Sequence, residues 1–158
     1  MKKFILTDET IEMFGVTLHR IKAVRSFGTV KEGDFGGFVE KEENISEYFK
    51  AWVWGNAKVW GNAEVSGDAE VWGNARVSGD AKVSGNADYI VFKNWWSSGR
   101  YFTWTRSNNM WSVGCSYGTG EEIIKKAYAD SEKSGREYER VVKFVQSILE
   151  DEKNGTIV

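Results

Sequence analysis

The chain has 158 residues, with 21 basic and 23 acidic side chains, a formal net charge of -2 and a single cysteine. This length allows one or two small domains, and the near balance of charge excludes a general nucleic-acid binder. One cysteine excludes an intrachain disulfide and a cysteine-based metal site, and no apolar run reaches the roughly 18 residues that a membrane span needs.

The first part of the chain is predicted to be a β-hairpin. Residues 4–26 alternate between apolar and polar side chains, with a turn near Gly15, and the stretch DFGGFVE at 34–40 then leads into the repeats. The apolar start of the chain is too short for a signal peptide, so we expect a cytoplasmic protein. We interpret His19, the only histidine, as a surface strand residue, with a catalytic base as the alternative.

A six-residue phrase, Val-x-Gly-Asn/Asp-Ala-x, fills residues 53–88. In an extended chain the Ala and the Val two positions later point to the same side. The Gly-Asn or Gly-Asp pair takes a positive φ at little cost, so each unit is predicted to be a short strand followed by a corner. A helix is rejected because each glycine inside it would cost about 1 kcal/mol.

The phrase resembles the hexapeptide repeat of left-handed parallel β-helices, closely over residues 53–90 and loosely over 36–52. The resemblance implies that three units form one triangular coil and that residues about 18 apart stack. The fold expected is therefore mainly β, with a short left-handed parallel β-helix of about two to three coils. We assign residues 51–90 to it, 1–50 to an N-terminal β cap with a degenerate first coil, and 91–158 to a C-terminal α+β unit.

The implied register sorts the outward side chains into columns. It places the following residues over one another: Lys58 over Arg76, Trp60 over Ser78, Glu64 over Lys82, and Trp54 over Trp72 over Ile90. No Asp stacks on Asp, which argues against a calcium-binding roll. The apolar column of Trp54, Trp72 and Ile90 is a strip that soluble monomers usually cover. Another segment of the chain, a neighbouring subunit of a trimer, or a ligand are the three alternatives.

The C-terminal part is predicted to contain two or three antiparallel strands, with turns at Ser97–Gly99 and Ser107–Asn109, and then two helices. Capping boxes are predicted for Thr119 with Glu122 and for Ser134 with Glu137. The motif W-x-V-G-C-x-x-G-T-x-E-E, which begins at Trp111, resembles a strand–helix unit of hypothetical phage and prophage proteins. The resemblance implies a phage setting in a bacterial host and no particular chemistry. We expect Cys115 within it to be a buried structural thiol rather than a nucleophile.

A cluster of aromatic and basic residues in this part is the predicted ligand site. It comprises Trp95, Trp96, Arg100, Phe102, Trp104 and Arg106. Aromatic faces beside guanidinium groups can stack bases and pair phosphates. The alternative is that the rings form the core between the strands and the helices. We expect no catalytic residue, no metal and no cofactor.

The leading hypothesis is a non-catalytic phage or prophage protein that binds a host component and antagonises a bacterial defence system. Its target is either a host protein, held by the β-helix surface, or a small nucleotide signal, held where subunits meet. A second hypothesis is a hexapeptide-repeat acyltransferase with His19 as the base, which predicts coenzyme A binding. A third is a purely structural trimeric assembly module.

Overall fold

The computed structural model describes residues 2–155, and over these residues the protein is mainly β, with two helices near its C-terminal end. The strands of this part of the chain are Phe4–Met13 (β1), Val16–Ala23 (β2), Phe35–Val39 (β3), Trp52–Val53 (β4), Lys58–Val59 (β5), Glu64–Val65 (β6), Glu70–Val71 (β7), Arg76–Val77 (β8), Lys82–Val83 (β9), Tyr89–Lys93 (β10), Tyr101–Thr105 (β11), Met110–Val113 (β12) and Ser116–Gly118 (β13). The helices are α1 (Gly120–Asp130) and α2 (Glu132–Lys153). Neither of these two described helices has the length and apolar character that crossing a bilayer requires.

The N-terminal hairpin forms as the alternation predicts. Met13 pairs with Val16 across the turn, and the two turn residues, Phe14 and Gly15, have φ values of 52° and 78°. Two positive φ values suit the right-handed twist of paired strands. β2 pairs antiparallel with β3, and β3 pairs parallel with β5, so the hairpin occupies a strand edge that would otherwise be free.

The repeats form a stack of very short parallel strands, which we call the repeat stack (residues 52–83). β4 pairs with β7, β5 with β8 and β6 with β9, and Glu64 and Lys82 stand 18 residues apart as partners. The predicted register is therefore confirmed within residues 52–83. The repeated alanines and valines point inward and are almost completely buried, while the corner glycines, such as Gly61 at φ 69°, take positive φ.

The coil before the repeat stack is longer. Ile45 forms a parallel bridge with Val65, a separation of 65 − 45 = 20 residues, whereas Trp52 pairs with Glu70 at 70 − 52 = 18. The two additional residues lie in the segment 46–51, where Phe49 has a φ of 60°. This insertion explains why the six-residue phrase is lost there although the strands still stack.

The C-terminal unit is a four-stranded antiparallel sheet, β10-β11-β12-β13, with helices packed on one face. β13 is a strand that the sequence prediction leaves uncounted. The Thr119–Glu122 capping box is confirmed, since each side chain bonds the other residue's backbone amide. The Ser134–Glu137 box is wrong: Ser131 alone separates the two helices and caps α2, because its side chain accepts the Ser134 amide at 3.1 Å.

The last coil of the repeat stack is closed by side chains. Within the stack, outward residues donate their amide to the next coil, as Trp54 does to the Val71 carbonyl at 2.8 Å. The last coil has no following coil, and five of its amides donate instead to side-chain oxygens at 2.7–3.2 Å: Glu70 to Asn86, Trp72 to Tyr89, Arg76 to Thr103, Lys82 to Ser107 and Ser84 to Asp88. The 3-10 turn Asn86–Asp88 and the C-terminal unit therefore cap this end of the stack together.

Candidate functional site

The predicted aromatic site in the C-terminal hairpin does not assemble as an accessible surface. Phe102 and Trp104 are fully buried in the core between the sheet and the helices. The Trp104 indole N–H donates to Asn109 Oδ1 at 2.8 Å. Neither ring can contact a ligand, so this part of the prediction is corrected in favour of the core alternative. A small sheet with two helices needs large rings to fill its interior.

The remaining residues of that prediction are dispersed. The Trp96 indole N–H donates to Ser134 Oγ at 3.1 Å, while the neighbouring ring of Trp95 is 68% exposed. Arg106 is held by Glu152 at 2.6 Å and by Asp88 at 3.9 Å, so it joins α2 to the end of the repeat stack. Arg100 is exposed and belongs to the face described below.

The predicted tryptophan column is two rings long. Trp54 and Trp72 stack with ring centroids 4.7 Å apart and planes inclined by 9°, and Trp72 is half-exposed. Ile90 lies elsewhere, because the repeat ends at a 3-10 turn and β10 enters the C-terminal sheet, where Ile90 is opposite Trp104. Beyond Trp72 the Tyr89 hydroxyl takes the place of a further coil: it accepts the Trp72 amide at 3.2 Å and donates to the Glu70 carbonyl at 2.8 Å.

The two residues considered for catalysis, His19 and Cys115, lie in different elements and have no hydrogen bond with each other. His19 Nδ1 lies 3.1 Å from the Thr7 carbonyl inside the hairpin. Cys115 is exposed at the turn between β12 and β13, which corrects the expectation of a buried thiol. No cluster of three or more His, Cys, Asp or Glu side chains suited to a metal ion occurs within residues 2–155.

A column of cations crosses the sheet that joins the hairpin to the repeat stack. In cross-strand register, Arg20 is opposite Phe38, Phe38 is beside Lys58, and Lys58 is beside Arg76. The Phe38 ring lies 4.4 Å from the Arg20 guanidinium carbon and 6.0 Å from Lys58 Nζ. Cations over an aromatic face are stabilised by the ring quadrupole. We call these four residues the basic column.

The charges of the basic column repel one another. Burial lowers the pKa of Lys58, and the positive charges of Arg76 and Arg20 lower it further. Burial also lowers the pKa of Arg76, and the charge of Arg100 adds to this effect. Arg20 has a partner in Glu9 at 2.8 Å. Lys58 and Arg76 form no ion pair with any of the described residues.

A cavity of about 280 Å³ opens beside the basic column. The residues that line it come from all three parts of the chain: Phe14 from the hairpin turn, Trp60 and Ser78 from the repeat stack, and Ser112, Cys115 and Tyr117 from the C-terminal unit. The Trp60 and Phe14 ring centroids are 6.5 Å apart.

Gly114 connects the cavity to the cations. It lines the cavity, and its carbonyl accepts a hydrogen bond from Arg76 Nη1 at 3.0 Å. A Cβ placed on Gly114 would lie 2.6 Å from Arg100 Nη1, so the Arg100 guanidinium packs against the same glycine. Two guanidinium groups therefore flank an aromatic cavity. We call the basic column, Arg100 and the cavity together the basic–aromatic face.

Part of this face follows directly from the sequence. The 18-residue register by itself places Lys58 beside Arg76 and Trp60 in line with Ser78. Arg20 and Phe14 join them only because the hairpin pairs with β3. No local pattern in the sequence signals that pairing.

No family model matches the sequence, and a search of curated proteins finds no match.

Proposed function

We propose that the protein is a non-catalytic binding protein whose basic–aromatic face holds a small anionic ligand that carries phosphate groups. The observation that carries the proposal is the stacking of Lys58 on Arg76 without an ion pair to any described residue. Like charges directly opposite each other in a sheet are destabilising. A bound anion removes this repulsion and is stabilised by both cations.

Phosphate is the anion that these residues suit best. Guanidinium groups bind phosphate oxygens through paired, charge-assisted hydrogen bonds. Arg76 uses Nη1 for Gly114, which leaves other N–H groups of the fork for a ligand. Because the net charge of the whole chain is -2, the positive potential is local, which favours a small ligand over a long nucleic acid.

We also propose that the repeat stack is a left-handed parallel β-helix of the hexapeptide-repeat type. The parallel pairing of residues 18 apart, the inward Ala and Val side chains and the positive-φ glycines support this proposal. The motif that begins at Trp111 resembles units in phage and prophage proteins, and this resemblance supports a phage or prophage origin for the protein. In that setting the ligand is a nucleotide signal of a bacterial host, which the protein sequesters in the cytoplasm to antagonise a defence system. Capture of a host protein by the same face is the competing version.

The test compares two lysines at equivalent strand positions. Lys58→Gln removes a charge from the basic column. The Lys58 ammonium donates to the Asn56 carbonyl at 2.8 Å. Lys82→Gln is the matched control, because Lys82 stacks on Glu64 and pairs with it at 3.3 Å. We expect the Kd for tripolyphosphate, measured by calorimetry at low salt, to rise about tenfold in Lys58→Gln, a loss of about 1.4 kcal/mol.

In Lys82→Gln the Kd is expected to stay within twofold of wild type. Absence of tripolyphosphate binding by the wild-type protein, or equal losses in the two variants, contradicts the proposal. Retention of a host protein on the wild-type chain, lost in Lys58→Gln, supports the competing version.

The Trp54–Trp72 pair favours a second function, assembly of a trimer. Trp54 of this pair is partly buried, but the ring of Trp72 stacked on it is 51% exposed, and an exposed indole at the end of an apolar column is a surface that a neighbouring subunit can cover. If the pair lies at a subunit interface, Trp72→Glu places a charge there and yields soluble monomers by native mass spectrometry. A trimer that survives this change rules out the interface.

A further inference from the structure

One amide of the last coil is left without the cap that its neighbours have. In the stack, the Trp60 amide donates to the Val77 carbonyl at 3.0 Å. The equivalent residue one coil later is Ser78, and its amide makes no hydrogen bond with any residue of the described chain. The five other outward amides of the last coil each have a side-chain acceptor, so the Ser78 amide is the exception among them. It lies on the wall of the cavity in the basic–aromatic face.

Two hydroxyls of nearly buried residues line the same cavity without a partner. The Ser78 and Ser112 side chains belong to residues that are each 5% exposed. Neither Oγ forms a hydrogen bond within residues 2–155, yet both residues line the cavity. The fully buried side-chain nitrogen and oxygen atoms without a partner in the described chain are Arg25 Nε, Trp52 Nε1 and Trp54 Nε1, so the two serine hydroxyls are open to the cavity rather than buried. Ser78, with an amide donor and a hydroxyl, and Ser112, with a second hydroxyl, thus line one space.

The shape of the cavity defines what can enter. Trp60, Phe14 and Tyr117 are the aromatic residues that line it, and the Phe14 and Trp60 rings are inclined by 49° to each other. Pockets for whole drug-sized ligands occupy roughly 300–1,000 Å³. A volume of about 280 Å³ suits a single planar ring system, with the rest of the ligand outside. Gly114, at the wall of the cavity, is in contact with both Arg76 and Arg100.

We infer that the cavity binds the base of a nucleoside phosphate, with its phosphates on Arg76 and Arg100. A nucleobase has two π faces for the aromatic walls and an edge of donors and acceptors for the Ser78 amide and the two hydroxyls. This inference rests on the proposed function and adds to it the class of ligand and the residues that read the base. Trp60 and Ser112 supply selectivity, whereas the cations supply affinity for any phosphate.

The experiment compares tripolyphosphate with the four nucleoside triphosphates, which carry the same phosphate chain. We expect at least one nucleoside triphosphate to bind tenfold or more tightly than tripolyphosphate. Phe14→Ala, a change at an exposed hairpin turn, and Trp60→Leu should reduce that advantage, taken as the ratio of the two Kd values measured on each variant, to about twofold. Tyr48→Ala is the control, because Tyr48 is an exposed aromatic side chain outside the face.

Cys115 provides a second readout. It lines the cavity and is the single cysteine of the chain, so alkylation by iodoacetamide reports one position. A saturating nucleotide should slow alkylation at least fivefold, and tripolyphosphate should not. If nucleotides bind no more tightly than tripolyphosphate and leave alkylation unchanged, the base pocket is wrong while the phosphate site stands. If neither probe binds, both proposals fail.

Discussion

The repeat stack and the C-terminal unit are stabilised by different kinds of core. The interior of the stack consists of alanine and valine side chains at regular intervals, and those of one coil pack against the equivalent residues of the neighbouring coil. The core of the C-terminal unit contains a few large rings, among them Phe102, Trp104 and Trp111. A periodic core distributes its stability over many small contacts, whereas the other core depends on single side chains. The two regions should therefore respond differently to the same kind of mutation.

The largest difference is expected from truncation of one core side chain in each region. Trp104→Ala should lower the free energy of unfolding by about 3–5 kcal/mol, because it leaves a large cavity. Val77→Ala, which removes two methyl groups from the stack, should cost about 2 kcal/mol. Urea denaturation followed by circular dichroism measures both. Equal losses would show that the stack is as dependent on single residues as the C-terminal unit.

The contact between the two regions offers a smaller effect. Thr103 Oγ1, in the C-terminal sheet, accepts the Arg76 amide of the stack at 2.9 Å. Thr103→Val keeps the shape and removes the acceptor, so we expect a loss of about 1–3 kcal/mol for the unpaired amide. Thr103→Ser keeps the hydroxyl and is the control. If the valine variant is as stable as the serine variant, the two regions are less coupled than this hydrogen bond indicates.

Substitutions at two corner glycines of the stack distinguish the cost of backbone strain from the cost of a clash with the C-terminal unit. Gly73 and Gly79 both have a φ of 66°. Alanine at Gly73 meets nothing within 4 Å and should cost about 1 kcal/mol for the left-handed backbone alone. Alanine at Gly79 would also overlap the Tyr117 hydroxyl and should cost more. Thermal unfolding of the pair measures the difference, and equal melting temperatures would mean that Tyr117 moves aside freely.

The opposite end of the stack predicts a pH effect. The Lys3 side chain is fully buried, and its Nζ donates to the Ala51 carbonyl at 2.7 Å. Burial lowers the pKa of Lys3 from 10.5 to about 8, with Arg25 lowering it further and Glu47 opposing. Above pH 8 the folded chain therefore loses this proton, while the unfolded chain keeps it up to about pH 10.4.

The Lys3 contribution to the free energy of unfolding should consequently rise by roughly 1 kcal/mol between pH 8 and about pH 9. Lys3→Met should remove this rise, and Lys2→Met, at an exposed lysine paired with Glu42, should retain it. Urea midpoints at the two pH values provide the measurement. A rise that persists in Lys3→Met assigns the effect to another group.

The sequence predicts the repeat stack in detail because its pattern is redundant. Six copies of one phrase specify which residues are inside, and a period of 18 specifies which residues are neighbours, as Lys58 and Arg76 show. The aromatic hairpin has no such redundancy. Alternation in β11 separates its two faces but does not say which face meets the helices, so Phe102 and Trp104 fit a ligand site and a core equally well until the helices are placed.

The candidate site was predictable only in part for a related reason. Trp60 and Ser78 lie in line by the repeat alone, but Phe14 and Cys115 come from turns that are far away in the sequence. Ile90 shows where extrapolation ends. It follows the period of the repeat by number, yet the 3-10 turn at Asn86–Asp88 directs it into the other core.

Because both ends of the stack are closed, the number of coils between them sets the distance between the two end walls of the cavity. Phe14 belongs to the hairpin at one end and Tyr117 to the unit at the other, and both line the cavity together with Trp60 and Ser78 of two successive coils. Insertion of one whole coil would move these walls apart by one strand spacing, about 4.8 Å, without changing the chemistry of either. Insertion of a single six-residue unit would instead turn the C-terminal unit to the next side of the stack. Gene duplication in steps of 18 residues could thus resize the pocket for a larger ligand while the caps remain the same.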